Sequence, residues 1–253
     1  MSIKDTYEYN GFVVVPSGLP ASTLDAARDA IGPPQPPVYQ YNDSPRIFEA
    51  WKTSQAVRDI VFCHEIMRTL KTLYGLEAPP RALQTINFRK GTEQPLHQDG
   101  VHFQTQPLGR MVGAWIALED MTPDNGPLCY VPGSHRMGYQ DWQELGFRKT
   151  QVGLQEEQYR AYEDWAEAKG YRMGGKVPFL GQKGDIFIWG LELLHGGMPI
   201  KDPNSTRYSQ VTHYALGDAE FGWAPMFSDP DKGDYHRKTM RHFDIDGNLH
   251  AWE

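Results

Sequence analysis

Cysteine is nearly absent. The 253 residues hold two, Cys63 and Cys129, in unlike segments and neither in a Cys-x-x-Cys pair. That pattern argues against a cysteine zinc site and a disulfide framework, and leaves two reduced, structural thiols as the expectation. Long apolar runs are missing as well: no stretch of about 18 apolar residues occurs, so no membrane-spanning helix is expected. The N-terminal MSIKDTYEYN has no basic segment ahead of an apolar one, so no secretion signal is read and a cytoplasmic protein is the expectation. Positive charge is in deficit, 25 Lys and Arg against 32 Asp and Glu, for a formal net charge of -7. Nonspecific nucleic-acid affinity comes from cations that displace counterions from phosphates, so nucleic acid is not an expected partner. No internal repeat, low-complexity tract or linker interrupts the chain, and residues 1–253 read as one domain.

Turn formers and aromatics are plentiful: 25 Gly, 19 Pro and 12% Phe, Trp and Tyr. From residue 82 to 216 short β-rich runs (ALQTINFR, MVGAWIALE, LCYVP, VPFL, DIFIW, TRYSQVTHYAL) alternate with Gly, Pro, Asn and Asp. This is the pattern of a mainly β barrel or jelly roll, and it forms the core of the chain. Residues 1–81 add a short strand, GFVVVP, and two helices, at 22–32 and at 54–75, whose apolar residues fall on one face to pack against a sheet. Between those helices PPQPPVYQYNDSP is too proline-rich for regular structure and reads as an irregular arm carrying Tyr39 and Tyr41. LQEEQYRAYEDWAEAKG (154–170) is composed of strong helix formers and reads as a helical insertion outside the sheets. Residues 217–253 are left as a C-terminal tail.

The chemistry gathers in PLHQDGVHF. On an extended chain residues two apart project to one side, so His97 and Asp99 can reach one ion. His195, just past the strand DIFIW and followed by Gly196 and Gly197, supplies a third ligand where the backbone can approach closely. Two imidazoles and one carboxylate on one face of an ion leave the opposite face open, the arrangement of non-heme Fe(II) oxygenases. Twelve residues on, Arg207 and Ser209 share a strand face where they can grip a carboxylate. A metal hydrolase or cupin-like isomerase on the same ligands has no use for that pair, and a metal-free binding module has no need of all three ligands. His135 reads as structural or at the pocket rim. His102 and His213 either face the pocket or sit as hydrogen-bonded neighbours of the ligands or core.

In LHQDGVHF, GAWIALEDMTPDNGPLCYVPGSH, KGDIFIW followed by LLHGG, and TRYSQVTHY, the chain resembles the phytanoyl-CoA dioxygenase family of Fe(II)/2-oxoglutarate-dependent oxygenases. The resemblance spans residues 82–216 and implies a double-stranded β-helix, a cupin-like jelly roll. It implies Fe(II) held by His97, Asp99 and His195, 2-oxoglutarate as cosubstrate with its far carboxylate on Arg207, and O2 as oxidant. It also implies that Trp115 flanks the cosubstrate. Some members carry a serine two residues after the distal histidine, where this chain has Gly197, so Ser209 or Thr85 would supply a hydroxyl here. Related halogenases lack the carboxylate ligand, so Asp99 implies hydroxylation of a C–H bond, with release of succinate and CO2. For the substrate, Tyr39, Tyr41, Phe103, Trp189 and Trp223 suit a small organic metabolite or a cation. An acyl-CoA would need a basic cradle, for which Arg89, Lys90, Lys183 and KGDYHRKTMRH are scattered candidates. Oligomeric state is not readable.

Overall fold

In the strands of the chain's largest sheet, side chains alternate between two differently filled faces, and this alternation decides where every site residue points. The computed structural model describes residues 1–32, 46–140, 145, 156–237, 241–244, 246 and 248–251. Tyr39 and Tyr41 lie outside the described residues, as do Lys238, Thr239 and Met240 of the basic C-terminal segment. The order is α1 (Ile3–Asn10), β1 (Phe12–Pro16), α2 (Ala21–Ile31), β2 (Arg46–Phe48), α3 (Gln55–Val61), α4 (His64–Tyr74) and β3 (Arg81–Phe88). Then come β4 (Gln104–Gln106), β5 (Met111–Ala117), β6 (Leu128–Tyr130), α5 (Glu156–Arg172), β7 (Val177–Pro178) and β8 (Asp185–Gly190). The chain continues with β9 (His195–Gly197), β10 (Ser209–Ala215), β11 (Phe221–Trp223), β12 (Arg241–Phe243) and β13 (Leu249–Ala251). No helix among the described residues is long and apolar enough to cross a membrane.

Among the described residues eight strands form the large sheet, in the order β1-β8-β5-β10-β3-β12-β13 with β2 also on β3, all pairs antiparallel. A second sheet runs β7-β6-β9, and β4 and β11 form a ribbon. One face of the large sheet presents Val112, Ala114 and Ile116 of β5, Ile186 and Ile188 of β8 and Tyr214 of β10 to Leu24, Ala27, Ile60 and Leu70 of α2, α3 and α4. The opposite face presents Trp115, Phe187, Trp189 and Val211 to Leu128 of the small sheet and to Phe179. The result is two facing, unclosed sheets of the jelly-roll kind, with helices buttressing the outer face.

One expectation changes and a second is filled in. The single helix expected over 54–75 is two, because Phe62 and Cys63 leave the helical region, Cys63 being extended at φ -60°, ψ 145°. The break frees the Val61 carbonyl, and the buried Tyr214 hydroxyl of β10 donates to it at 2.6 Å. A helix end that has lost its internal donors is thus satisfied from the sheet it packs on. The helix expected outside the sheets as an insertion is α5, whose Tyr162 and Ala166 are fully buried against Leu96, Val101, Val131 and Leu194. Its face toward the small sheet is a wall of the core.

Tyr214→Phe leaves the Val61 carbonyl buried without its donor and is expected to lower stability by about 1–3 kcal/mol. The midpoint of urea unfolding reads this directly, and an unchanged midpoint would mean that the bond does not hold the helix break.

Candidate active site

His97 and His195 sit opposite each other across a single antiparallel bridge. The His97 amide donates to the His195 carbonyl at 2.9 Å, and the His195 amide donates back at 3.0 Å. Such a reciprocal pair puts both side chains on one side of the ladder, and the imidazole centroids are 4.4 Å apart. Gly196 and Gly197 permit the approach. A Cβ on Gly196 would lie 2.6 Å from the Gln94 carbonyl oxygen, and one on Gly197 3.0 Å from the Gln94 nitrogen. That crowding is a physical reason for glycine where some relatives in the resemblance carry serine.

Asp99 follows His97 through one extended residue, Gln98, and then opens a short turn over Asp99–Val101. Gln98 is turned away from the histidines and pinned: its amide nitrogen donates to the Gly138 and Glu192 carbonyls at 2.8 and 2.7 Å, and its backbone N–H donates to the Tyr162 hydroxyl at 2.9 Å. Glu167, also on α5, accepts from the Leu96 amide at 2.9 Å. So α5 helps to fix the backbone that carries His97 and Asp99.

The ligand atoms of His97, Asp99 and His195 all lie within 4.8 Å of one another, and all three residues are buried. Each histidine's Nδ1 is 3.0 Å from a backbone carbonyl, Pro95 for His97 and Leu193 for His195, so each Nδ1 donates and each Nε2 faces the trio; His97 Nε2 accepts from the Gln94 side-chain amide at 3.2 Å, a contact that a metal would replace. Asp99 Oδ1 faces those Nε2 atoms at 3.8 and 3.5 Å. Its Oδ2 accepts from Trp189 Nε1 at 2.9 Å and lies 3.4 Å from His213 Nε2. Burial would raise the Asp99 pKa, but His195 and His213 outweigh it and hold the carboxyl well below its ordinary range. Burial drives His97 well below the ordinary imidazole range, and the neighbouring His195 adds to that shift. Burial opposes charge on His195 too, yet Asp99 beside it raises its value. Metal binding needs neutral imidazoles and an ionised carboxylate, so the shifts of His97 and Asp99 favour it, while the raised value of His195 opposes it.

Arg207 is 3% exposed, and burial pushes its pKa down to about 10. Its guanidinium lies over the Phe88 ring at 5.2 Å and the Trp115 ring at 6.0 Å, and Nη1 donates to the Gly126 carbonyl at 3.0 Å. Its Nε and the buried Ser209 Oγ have no hydrogen-bond partner among the described residues. Ser209 pairs with Phe88 across the sheet, so hydroxyl and guanidinium flank the same ring. Two buried donors in want of an acceptor, one of them cationic, fit a carboxylate, and the histidine-rich, hard-oxygen trio fits a divalent iron.

Thr85 is not with them. It pairs with Thr212, which alternates with Val211 and His213, so it points to the helix side beside Asn87 and Gln210. Of the two hydroxyls, Ser209 is the one that the register puts on the Arg207 side. Three of the aromatics expected at the mouth are buried instead: Phe103 among Leu83 and Met111, Trp223 donating to the Thr105 carbonyl at 3.4 Å, and Trp189 on Asp99. His135 packs against Gly11, with Nε2 3.0 Å from the Glu8 carbonyl. His102 lies beside the trio, its ring 5.7 Å from that of His97 and its Nε2 3.3 Å from the Tyr159 hydroxyl of α5. The contacts of Trp189 and His213 with Asp99 were missed by sequence reasoning. Their signal was Gly113 in the middle of a strand, since a strand glycine marks a close approach: a Cβ there would lie 2.5 Å from the Trp189 ring.

The model of the phytanoyl-CoA dioxygenase (PhyH) family matches residues 7–207. The chain belongs to that family. Phytanoyl-CoA dioxygenase domain-containing protein 1 of Danio rerio is 29% identical over 135 residues, 53% of this chain and 40% of that protein. The chain spans 28–55% of the length of the first curated relatives it matches. Among solved structures it is similar to the non-heme alpha ketoglutarate dependent carbocyclase SnoK from nogalamycin biosynthesis, at TM-score 0.64 and 19% identity over 87% of this chain and 84% of that one. It is also similar to EctD from S. alaskensis with 2-oxoglutarate and 5-hydroxyectoine, at TM-score 0.59 and 19% identity over 84% of this chain and 74% of that one. These likenesses establish the double-stranded β-helix fold of the PhyH chain.

Gly196→Ala forces the His97 and His195 backbones apart and is expected to cost about 1–3 kcal/mol of stability in the metal-free protein. Urea unfolding measures it, and wild-type stability would mean that the close approach is not a constraint.

Proposed function

We propose that this chain is an Fe(II)- and 2-oxoglutarate-dependent oxygenase that hydroxylates a C–H bond of a small organic metabolite, with residues 1–253 acting as one catalytic domain. The observation that carries the reading is the pairing of a buried His97, Asp99, His195 trio with a buried arginine whose Nε has no hydrogen-bond partner among the described residues. Family membership supports it, and so do the titles of the two structural neighbours, one alpha ketoglutarate dependent and one holding 2-oxoglutarate. Bound by this trio, iron would supply the oxidising chemistry, by which O2 and 2-oxoglutarate give succinate and CO2 while one oxygen atom enters the substrate C–H bond. The residues do the rest. His97 and His195 offer Nε2 and Asp99 offers Oδ1 from one side, which leaves positions open for reactants. Arg207 and Ser209 take the far carboxylate of 2-oxoglutarate and set its direction, with Trp115 and Phe88 walling the guanidinium from water.

A free metabolite is favoured over an acyl-CoA by the state of the basic side chains. Arg89 donates to the carbonyls of Ile31 and Gly32, Lys90 to the Pro203 carbonyl at 2.7 Å, and Lys183 pairs with Asp25 at 2.6 Å. Arg89, Lys90 and Lys183, three candidates for a phosphate cradle, thus already have protein partners. The acyl-CoA reading keeps the support of the family's name, and the same assay separates the two.

Supplied with Fe(II), O2 and 2-oxoglutarate, the chain should release succinate faster when its substrate is added, with hits among small carboxylates, amines or phosphonates that gain one oxygen atom from O2. Stimulation by acyl-CoA thioesters alone would overturn the metabolite preference. An absence of succinate from iron-loaded protein across the library would favour a metal hydrolase or isomerase.

Arg207→Ala should raise the 2-oxoglutarate requirement at least tenfold, as for a buried carboxylate that loses a charged partner worth about 2–5 kcal/mol. Iron affinity should change little. Unchanged cosubstrate dependence with damaged iron binding would assign Arg207 to the metal side instead.

A further inference from the structure

A carboxylate beside a metal can bind through one oxygen or chelate with both. On a six-coordinate ion three single contacts from the protein leave three positions, and a chelating Asp99 would take one of them. In the proposed reaction the cosubstrate and O2 would use the positions so left open. What holds Asp99 to one oxygen therefore matters to the reaction, and two side chains lie on its other oxygen.

Trp189 Nε1 donates to Asp99 Oδ2 at 2.9 Å, and His213 Nε2 stands 3.4 Å from the same atom. Oδ1 is left facing His97 and His195. His213 Nδ1 is buried with no hydrogen-bond partner among the described residues, so the polar contact of this ring is the one that Nε2 makes toward Asp99. Trp189 is 2% exposed, its ring centroid is 4.7 Å from that of His195, and Gly113 on the neighbouring strand leaves the room it fills. The indole therefore touches two of the three ligand residues at once. Both donors come from the large sheet, β8 and β10, while Asp99 sits on a turn outside it.

We propose that Trp189 and His213 are positioning residues that hold Asp99 to a single-oxygen contact with the metal. The proposal rests on the iron reading above. Both residues act through Asp99, and neither is required to touch substrate.

Anaerobic Fe(II) titration of the full chain tests this, followed by 2-oxoglutarate addition read by the visible charge-transfer absorption of the Fe(II) chelate. Trp189→Phe and His213→Leu should each weaken Fe(II) binding by about 10- to 100-fold, the usual cost of losing a group that orients a metal ligand. Both should need more 2-oxoglutarate than wild type to reach full absorption. His213→Gln keeps an N–H donor and should recover most of the affinity that His213→Leu loses. A packing role alone would lower the urea midpoint of the metal-free protein and leave the Fe(II) affinity of the folded protein at the wild-type value. That outcome, or a His213→Gln no better than His213→Leu, overturns the proposal. Should His213→Leu fail to fold, Trp189→Phe, which keeps an aromatic ring against His195, decides alone. His97→Ala separates the two levels. If it binds Fe(II) as wild type does, the iron reading itself fails. If it loses Fe(II) while Trp189→Phe and His213→Leu keep it, only the positioning roles fail.

Discussion

The reciprocal backbone pair between His97 and His195 is the constraint on which the site depends. It joins segments almost a hundred residues apart, and its two hydrogen bonds leave the imidazoles no choice but to lie side by side. The pair depends on residues 196 and 197 carrying no side chain, since the irregular segment before His97, residues 93–95, passes within contact of both glycines. Once it forms, the turn after Gln98 delivers Asp99 to the same place. The remaining supports are arranged to keep that segment still: Tyr162 and Glu167 from the helix side, and Trp189 and His213 from the sheet.

Alternation along the large sheet then separates structure from chemistry. Even-numbered residues of β10 (Gln210, Thr212, Tyr214) turn to the helices, while Ser209, Val211 and His213 turn inward. One strand thus runs from the hydroxyl beside Arg207 to the ring beside Asp99, and a single-residue slip would exchange the whole inner set for the outer one.

Much of this was legible in the sequence, and the reason lies in local rules. The spacing of His97 and Asp99, the glycines after His195 and the two-residue step from Arg207 to Ser209 each state a geometry that one short segment can enforce. Thr85 was misread because its facing depends on pairing with β10, which no local pattern reports. Trp189 was read as a rim aromatic for the same reason: an indole on a strand looks alike whether it lines a mouth or reaches a carboxylate. The break between α3 and α4 falls inside an unbroken apolar stripe, and its compensation comes from Tyr214, about 150 residues away, as the bond between 61 and 214 records. α5 was expected as a helix outside the sheets and is one, and what its composition did not report is its packing. Its composition announced a helix correctly, but polar helix formers on three sides hid the narrow face of Tyr162 and Ala166.

The two charges of the site are balanced in different ways, and this divides the labour between metal and cosubstrate. Asp99 finds its compensation within the protein, from His195, His213 and the Trp189 N–H, so the carboxylate is held ionised before any ligand arrives. Arg207 has aromatic rings and one carbonyl around it, and burial works against its charge. A buried cation without an anion is unfavourable in a way that packing cannot repair. The carboxylate proposed above for this place would answer both the Arg207 Nε and the Ser209 hydroxyl. The Asp99 end is preorganised by partners already present, while the Arg207 end keeps two donors without an acceptor among the described residues.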